Sequence, residues 1–384
     1  MTRILFVSHS AELKGAERFL LDVLRTLDRT AFAPRLVVPR PGGPLEKAAA
    51  AAGVPVSVVA FKWWITEPSR IWKQPLARLW NRRAVGTIAR LIDAHDVDLV
   101  FSNSAAVAVG ALAARRAGVP HVWFVHEVLA GDRPMLRSLL GPRHLARMIC
   151  RHSRLVVVNS LASGRAFAGC AGVEVVYNGL PDGAGRATPR PGLKGELGLG
   201  PDDQAVGVVG TLFPGKGQRE AVLATASLAA RFPRLKLLLV GAPADEKYVR
   251  AIEKLVARHG LAGRVILAGY RPDLAEILAL LDLVVVPSTV DSFGRVALEA
   301  MAAEVPVLAV ARGGLPEIVR PGETGFLVDG PEPDRLAAGM AAVLDDPARA
   351  RQVAARAAQD VRRRFSLTAE VRKLEHLLEG CVER

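Results

Sequence analysis

Thirteen short apolar runs, alternating with stretches of helical spacing, recur along the whole chain and limit its fold more than any other feature. They fall at 3–8, 34–39, 54–60, 97–102, 120–125, 155–159 and 173–177 in the first half. In the second half they fall at 205–211, 235–240, 264–268, 283–287, 306–310 and 325–328. Runs such as Leu237-Leu-Leu-Val and Leu283-Val-Val-Val are apolar on both faces. Strands covered by helices on both sides read that way, whereas half-exposed strands alternate. Strands alternating with helices imply right-handed βαβ units and parallel sheets.

Between the two series lies Pro181-Asp-Gly-Ala-Gly-Arg-Ala-Thr-Pro-Arg-Pro-Gly, rich in Gly and Pro and without an apolar period. It reads as an interdomain linker. The length of 384 residues suits two domains. The expected organisation is α/β: two doubly wound, Rossmann-like domains at 1–182 and 204–365, joined by a linker at 183–203 and facing each other across a cleft. A last helix at about 366–384 is expected, by analogy of fold, to pack back on the first domain. Ligands of such sheets bind at the carboxyl ends of the strands, so the cleft is the expected active site.

Half the residues are hydrophobic and 23% are charged, which excludes a disordered chain. Only 5% are aromatic, so aliphatic residues must build the cores. Cys150, Cys170 and Cys381 are too few and too scattered for a disulfide framework or a zinc cage, and imply a reduced, cytoplasmic setting. The opening apolar burst meets His9, Glu12 and Lys14 too soon for a signal peptide. The charge-free run 101–114 has 14 residues, below the roughly 18–20 that cross a bilayer. A soluble protein, with peripheral contact to the inner face of a membrane as an option, is the expectation.

The net charge of +13 is unevenly placed. Residues 1–190 carry 26 Lys+Arg against 13 Asp+Glu, while residues 191–384 carry 25 of each. Residues 60–90 hold Lys62, Arg70, Lys73, Arg78, Arg82, Arg83 and Arg90 against Glu67 alone. Residues 131–165 hold Arg133, Arg137, Arg143, Arg147, Arg151, Arg154 and Arg165 against Asp132. A basic lobe attracts phosphorylated acceptors, acidic lipid headgroups or nucleic acid, although a merely solvated Arg-rich surface fits the same counts. Trp63, Trp64, Trp72 and Trp80 lie together in the first of these stretches. Amphipathic rings beside Lys and Arg suit a membrane interface or an acceptor groove, and equally a core-packing insertion.

The most informative segment is Pro287-Ser-Thr-Val-Asp-Ser-Phe-Gly-Arg-Val-Ala-Leu-Glu-Ala-Met-Ala. A strand ends at Pro287, a polar loop follows, and a helix should begin near 292–294, capped by Asp291 or Ser292. Gly294 lets a ligand approach the backbone, and the free N–H groups of the first turn favour an anion or a sugar hydroxyl. Glu299 follows Asp291 by eight positions, about 80° off register on one helix. The two acids therefore share a target only if Asp291 sits in the loop and Glu299 inside the helix.

Asp291-Ser-Phe-Gly with Glu299 resembles the acidic E-x7-E motif of the GT4 family, retaining glycosyltransferases with the GT-B fold; Asp stands for the first Glu. Gly210-Thr-Leu-Phe-Pro-Gly-Lys-Gly is similar to the family's G-R-L…K-G segment, which cradles the donor diphosphate. Lys216 matches the family lysine, and Thr211 replaces the usual Arg, a single hydroxyl where a guanidinium gives a bidentate clamp. Ser8-His-Ser-Ala-Glu-Leu-Lys-Gly-Ala-Glu resembles the G-G-A-E loop, with Lys14 for the first Gly and Gly15 opening a helix. His126, in Phe124-Val-His-Glu, matches the family's cleft histidine, with Glu127 beside it. Tyr270 and Arg271 lie in a segment similar to the loop beneath the nucleotide base. The segments at 311–319 and 321–328 resemble cleft wall and fold support.

The resemblance implies transfer of a hexose-type sugar from a UDP- or GDP-linked donor to a saccharide acceptor, lipid-linked or anionic, in envelope or exopolysaccharide synthesis. His126, Lys216, Asp291 and Glu299 are the implied catalytic residues. Gly15, Thr211, Lys216, Tyr270, Arg271, Ser292, Phe293, Gly294 and Glu299 are the implied donor-binding residues. Two acids at opposite ends of a ligand are not the close pair of a retaining hydrolase. Stabilisation of the departing diphosphate by Lys216, loop amides and the helix N-terminus carries the chemistry. No metal and no other cofactor is expected, and no nucleic acid. The rivals are a small-molecule glycosyltransferase or a nucleotide-sugar epimerase of the same fold, and a non-catalytic binder of nucleic acid or phospholipid.

Overall fold

The computed structural model of the protein describes residues 1–66, 71–72, 74–129, 138–139 and 141–383, apart from the side chain of residue 78. Of the basic stretches, Arg70, Lys73, Arg133 and Arg137, with Glu67 and Asp132 and the side chain of Arg78, lie outside the described residues. The chain divides into two units. Unit 1 is Met1–Pro181 with Phe365–Arg384, and unit 2 is Asp182–Arg364.

Unit 1 runs β1 (Thr2–Ser8), α1 (Gly15–Thr26), β2 (Phe32–Val38), α2 (Pro44–Ala51), β3 (Val56–Val58), α3 (Gln74–Ala94), β4 (Leu99–Asn103) and α4 (Val109–Ala117). It continues with β5 (His121–Val125), α5 (Gly141–Arg151), β6 (Leu155–Val158), α6 (Leu161–Gly164) and β7 (Val173–Val175). Its seven strands are parallel in the order β3-β2-β1-β4-β5-β6-β7. One face is covered by α1 and α2 through Phe19, Leu20, Leu24 and Leu45. On the other face Ala84 and Ile88 of α3, Ala113 of α4, and Leu145 and Ile149 of α5 pack on the sheet.

Unit 2 runs α7 (Leu193–Glu196), β8 (Gln204–Val209), α8 (Gln218–Leu228), β9 (Leu235–Val240), α9 (Glu246–Arg258), β10 (Val265–Gly269), α10 (Leu274–Leu278), β11 (Leu283–Val286) and α11 (Arg295–Ala302). It ends with β12 (Val307–Val310), α12 (Leu315–Ile318), β13 (Phe326–Val328), α13 (Pro333–Asp345) and α14 (Pro347–Arg364). Its six strands are parallel in the order β10-β9-β8-β11-β12-β13. The final helix, α15 (Leu367–Val382), belongs to unit 1, where Leu374 and Leu378 are fully buried beside α1.

Each apolar run of the sequence is a strand, and both sheets reverse direction of winding at their first strand. That reversal leaves a crevice at the carboxyl ends of β1 and β4 in unit 1, and of β8 and β11 in unit 2. Residues 183–203, read above as a linker, fall inside unit 2. The Gly and Pro residues hid a short apolar series: Leu193, Leu197 and Leu199 are buried there. The cysteines are less scattered than their spacing implies. The C-terminal end of α5 and the turn after Phe167 bring Cys150 and Cys170 together as a disulfide, with a Cα–Cα distance of 6.3 Å.

The tryptophan stretch also divides. Trp64 is buried, stacked on Trp123 at 5.7 Å, and donates its Nε1–H to Ala105 O at 2.6 Å. Trp63 donates to His9 O at 2.7 Å. Neither ring is a membrane anchor, because indole N–H groups that pair with backbone carbonyls hold them inward. Trp72 and Trp80 face outward, at 64% and 62% exposure.

Candidate active site

In unit 2 the crevice is built by the loop after β8 and the loop after β11. Gly210 follows β8 directly, and the turn Pro214–Lys216 brings Lys216 back over it. Thr289 donates its N–H to Gly215 O at 3.2 Å, tying the two loops together. The Lys216 ammonium donates to Asp291 Oδ1. Both side chains are about four-fifths buried, 21% and 19% exposed, so the pair is only partly screened by solvent.

Asp291 sits in the loop and Glu299 in the second turn of α11. The helix starts later than expected and is capped differently. Its N-cap is Gly294, at φ +100°, and no side chain caps it. The reason is that Asp291 spends its carboxylate on Lys216, while Gly294 makes the turn; a Cβ there would stand 2.5 Å from Leu315 Cδ2. Gly313 lies still closer. A Cβ on it would come within 1.9 Å of Asp291 O, and Gly314 donates its N–H to that same oxygen at 3.2 Å. The segment Arg312-Gly-Gly is therefore a mould for the Asp291 backbone. Glu299 accepts from Arg295 Nε at 3.0 Å, an i,i+4 pair.

The other unit 2 candidates divide by exposure. Thr211 is half-buried, and its carbonyl accepts from Gln218 Nε2 at 3.1 Å. Phe293 is buried at 2%, so its ring anchors the loop in the core and only its backbone can meet a ligand. Ser292 lies beside it in the loop, half-buried. Tyr270 is 62% exposed just beyond β10. The Arg271 guanidinium is gripped by Asp273, at 2.8 Å from Nε and 2.5 Å from Nη2, and by Glu196 at 3.4 Å. Those hydrogen bonds raise the pKa of Arg271 further and leave its backbone as the part open to a ligand.

In unit 1 the crevice is a polar cluster around Asn103, the last residue of β4. His126 follows β5 at 8% exposure, stacked on Phe124 at 4.4 Å, with Nε2 at 2.7 Å from Asn103 Oδ1. Asn103 Nδ2 donates to Ala16 O at 3.2 Å, which fixes the amide so that its oxygen faces His126. Nε2 of His126 must then be the donor, and Nδ1 is a buried acceptor with no partner among the described residues. Burial, with His9 nearby, pushes the His126 pKa down to about 3, so the ring is neutral.

His9 follows β1 and places Nδ1 at 3.2 Å from Asn103 O and Nε2 at 3.0 Å from Glu17 Oε1. Glu17 is 1% exposed in the first turn of α1. Gly15 opens that helix, with empty space where a Cβ would stand. Glu127 does not turn toward His126's ring. Its carboxylate accepts from Ser104 Oγ and from the N–H groups of Ala105 at 3.0 Å and His126 at 3.1 Å. It thereby holds Ser104 at φ +123°, a strained conformation at the crevice rim.

The structure thus brings Lys216, Asp291, Thr211 and the start of α11 to one crevice, and His126 and Gly15 to the other. It adds Asn103, outside every motif of the sequence reading, and His9 and Glu17, which that reading held only as members of the segment similar to the G-G-A-E loop. The available signal was the polar run Ser102-Asn103-Ser104 ending an apolar strand, where a buried β-strand should have continued apolar.

Residues 13–182 match the model of glycosyltransferase family 4, and residues 190–360 match that of glycosyl transferases group 1. The chain belongs to the GT4 family. D-inositol 3-phosphate glycosyltransferase of Rhodococcus opacus is 34% identical over 291 residues, 72% of this chain and 64% of that protein. The same enzyme of Thermobispora bispora is 33% identical over 298 residues, 72% of this chain and 68% of the relative. The match to the first of these spans just under two thirds of that relative's length. Anabaena HepE in complex with UDP superposes with a TM-score of 0.82 at 28% identity, over 99% of this chain and 100% of HepE. Its complex with UDP-glucose gives 0.82 at 27% identity, with the same coverage. The GT4 member described here has the GT-B fold, with a Rossmann-like domain in each unit. Among its described residues no helix is long and apolar enough to cross a membrane.

Proposed function

We propose that the chain is a retaining glycosyltransferase that moves a hexose-type sugar from a UDP-sugar to an anionic, lipid-linked saccharide or polyol acceptor. The observation that carries this reading is the Lys216–Asp291 pair at the carboxyl ends of β8 and β11, with Glu299 eight residues on. UDP is favoured over GDP because HepE was solved with UDP and with UDP-glucose. An anionic acceptor is favoured because the relatives act on an inositol phosphate and because the surplus of basic residues lies in the first half.

The donor diphosphate enters beside Lys216, whose ammonium turns from Asp291 to the phosphate oxygens. The amides at the start of α11 add partial positive charge. Asp291, released from its partner, accepts a hydroxyl of the sugar, and Glu299 accepts the ribose hydroxyls. The bond from the anomeric carbon to the diphosphate breaks, and the bond to the acceptor oxygen forms on the same face. The acceptor's proton passes to the leaving phosphate, so products are UDP and the glycoside. The ammonium and amides supply the charge a metal would otherwise bring. In unit 1 the Nδ1 of neutral His126, unpartnered among the described residues, is an acceptor open to a hydroxyl.

The protein works at the inner face of a membrane, in envelope or exopolysaccharide assembly. Its contact is the exposed stripe Leu76, Leu79 and Trp80 of α3, at 60%, 62% and 62% exposure, with Lys62 lying 4.3 Å over the Trp80 ring. The test is incubation with UDP-glucose and an inositol phosphate acceptor, followed by proton NMR of the anomeric signal. An axial product with stoichiometric UDP supports the reading. An equatorial product contradicts retention, and conversion of the donor without UDP release makes the protein an epimerase.

A further inference from the structure

Unit 1 carries a groove on the face of its sheet opposite α1, between α3, α4 and α5. Its cavity of about 740 Å³ is the size of a ligand pocket and is walled chiefly by apolar groups. Trp64 and Trp123 form part of the lining, Val85 of α3 and Leu112 of α4 flank it, and Met148 of α5 faces them. The cause is local. Ala108, the N-cap of α4, and Ala111 within the helix pack with Trp123, and neither is large enough to fill the space.

The rim has one sign of charge. Arg82, Arg115 and Arg116 line it with no acidic residue, and none of the three has a carboxylate partner among the described residues. A second cavity, of about 440 Å³, adjoins the first through Ala111, Arg115 and His152 and adds Arg151 and Arg154. The field is felt by His152. Burial, and then Arg115 and Arg151, hold its ring below the ordinary histidine range. The walls are helices whose backbones are internally bonded, so the groove offers no sheet edge to a peptide. It offers hydrocarbon contact along one stretch and guanidinium groups at the end.

We propose that this groove holds one acyl chain of an anionic membrane phospholipid, its phosphate seated among Arg115, Arg151 and Arg154. The inference goes beyond the transfer reaction and rests on the membrane contact stated above. The exposed stripe of α3 lies beside Arg82, so a bilayer meeting that stripe presents lipid to the groove mouth. Guanidinium pairs with phosphate oxygens bidentately, and the chain then fills the space over Trp123.

The position of the tryptophans makes the test direct. Trp64 and Trp123 line the groove, whereas Trp72 and Trp80 face solvent. The wild-type chain, and the full chain carrying Trp72→Phe and Trp80→Phe, are mixed with phosphatidylcholine vesicles, with and without phosphatidylglycerol brominated along its acyl chains. Sedimentation of the wild type reports binding, and indole emission of the double variant reports bromine beside Trp64 and Trp123. The expected result is binding only to anionic vesicles, with emission clearly quenched. Arg115→Glu with Arg151→Glu should weaken sedimentation about tenfold or more. Ala111→Leu should remove the quench while binding persists.

Vesicle binding with unquenched emission overturns the groove and leaves the membrane contact standing. No binding to anionic vesicles overturns both. Full competition by inorganic phosphate, with no quench, makes the basic end a free-anion site and also overturns the proposal. UDP-glucose binding, measured on the same sample, is expected to be unchanged by the arginine variants.

Discussion

The Lys216 ammonium is paired with the Asp291 carboxylate across the crevice between β8 and β11. Each is the charge the other would present to a donor, so binding of a diphosphate must exchange one ion pair for another. Replacing Asp291 by Asn frees Lys216 without removing it. UDP should then bind about threefold to tenfold more tightly, while turnover falls about a hundredfold for want of the proposed sugar contact. Calorimetry with UDP and a UDP-release assay read the two effects separately. Loss of UDP affinity in this variant would mean that Asp291 supports the diphosphate site instead of competing with it.

Gly313→Ala tests the mould around Asp291. The new Cβ would meet Asp291 O at 1.9 Å, and the backbone there is at φ +57°. The loop must move, at a cost of about 1–3 kcal/mol. Urea unfolding should show a lower midpoint at an unchanged slope, and turnover should fall with it. Stability within about 0.5 kcal/mol of the wild type would show that the loop yields freely.

Acid should destabilise the fold through two buried histidines. His121 is 3% exposed, with Nε2 at 2.9 Å from Ser102 Oγ, and its pKa is pushed down to about 3 by burial first. His126 is lowered to about 3 for the same first reason. Both values lie below the unfolded value of 6.5, so between them the unfolded chain binds more protons. The stability these rings contribute is whole above pH 6.5 and is lost as pH falls toward 3. Each contributes a slope of about 1.4 kcal/mol per pH unit in that window. His121→Gln should flatten the pH dependence of the urea-unfolding free energy by about that amount. An unaltered slope would mean that the ring charges without penalty.

The disulfide between Cys150 and Cys170 closes a loop of sequence separation 20. Loop closure of that length stabilises by about 3 kcal/mol in the chain-entropy account. Dithiothreitol, or the double change Cys150→Ser and Cys170→Ser, should lower the stability of unit 1 by that order. Unit 2 holds no part of that loop and should unfold as before. Equal melting with and without reductant would remove the bridge from the account of unit 1.

The fold was legible because it rests on a pattern that packing enforces. A strand buried on both faces must be apolar throughout, and Leu283-Val-Val-Val has no other comfortable place. The unit 2 crevice was legible for a related reason: Gly294 and Lys216 do work that few other residue types do. What escaped the reading depends on contacts distant in sequence. Asn103 is an ordinary amide until His126, 23 residues away, and Ala16, 87 residues away, close on it. The pairing of Cys150 with Cys170 depends on where α5 ends. Trp63 and Trp64 share composition with Trp72 and Trp80, and only the backbone carbonyls of His9 and Ala105 decide which rings turn inward.

The most direct measurement is calorimetric titration of UDP-glucose into the full chain and into Glu299→Ala. The wild type should bind with one site per chain. The variant, having lost the proposed ribose acceptor, should bind about tenfold or more weakly while remaining folded. Absence of heat for UDP-glucose and for every other sugar nucleotide, in a folded wild-type protein, would contradict the account; so would undiminished binding in the variant.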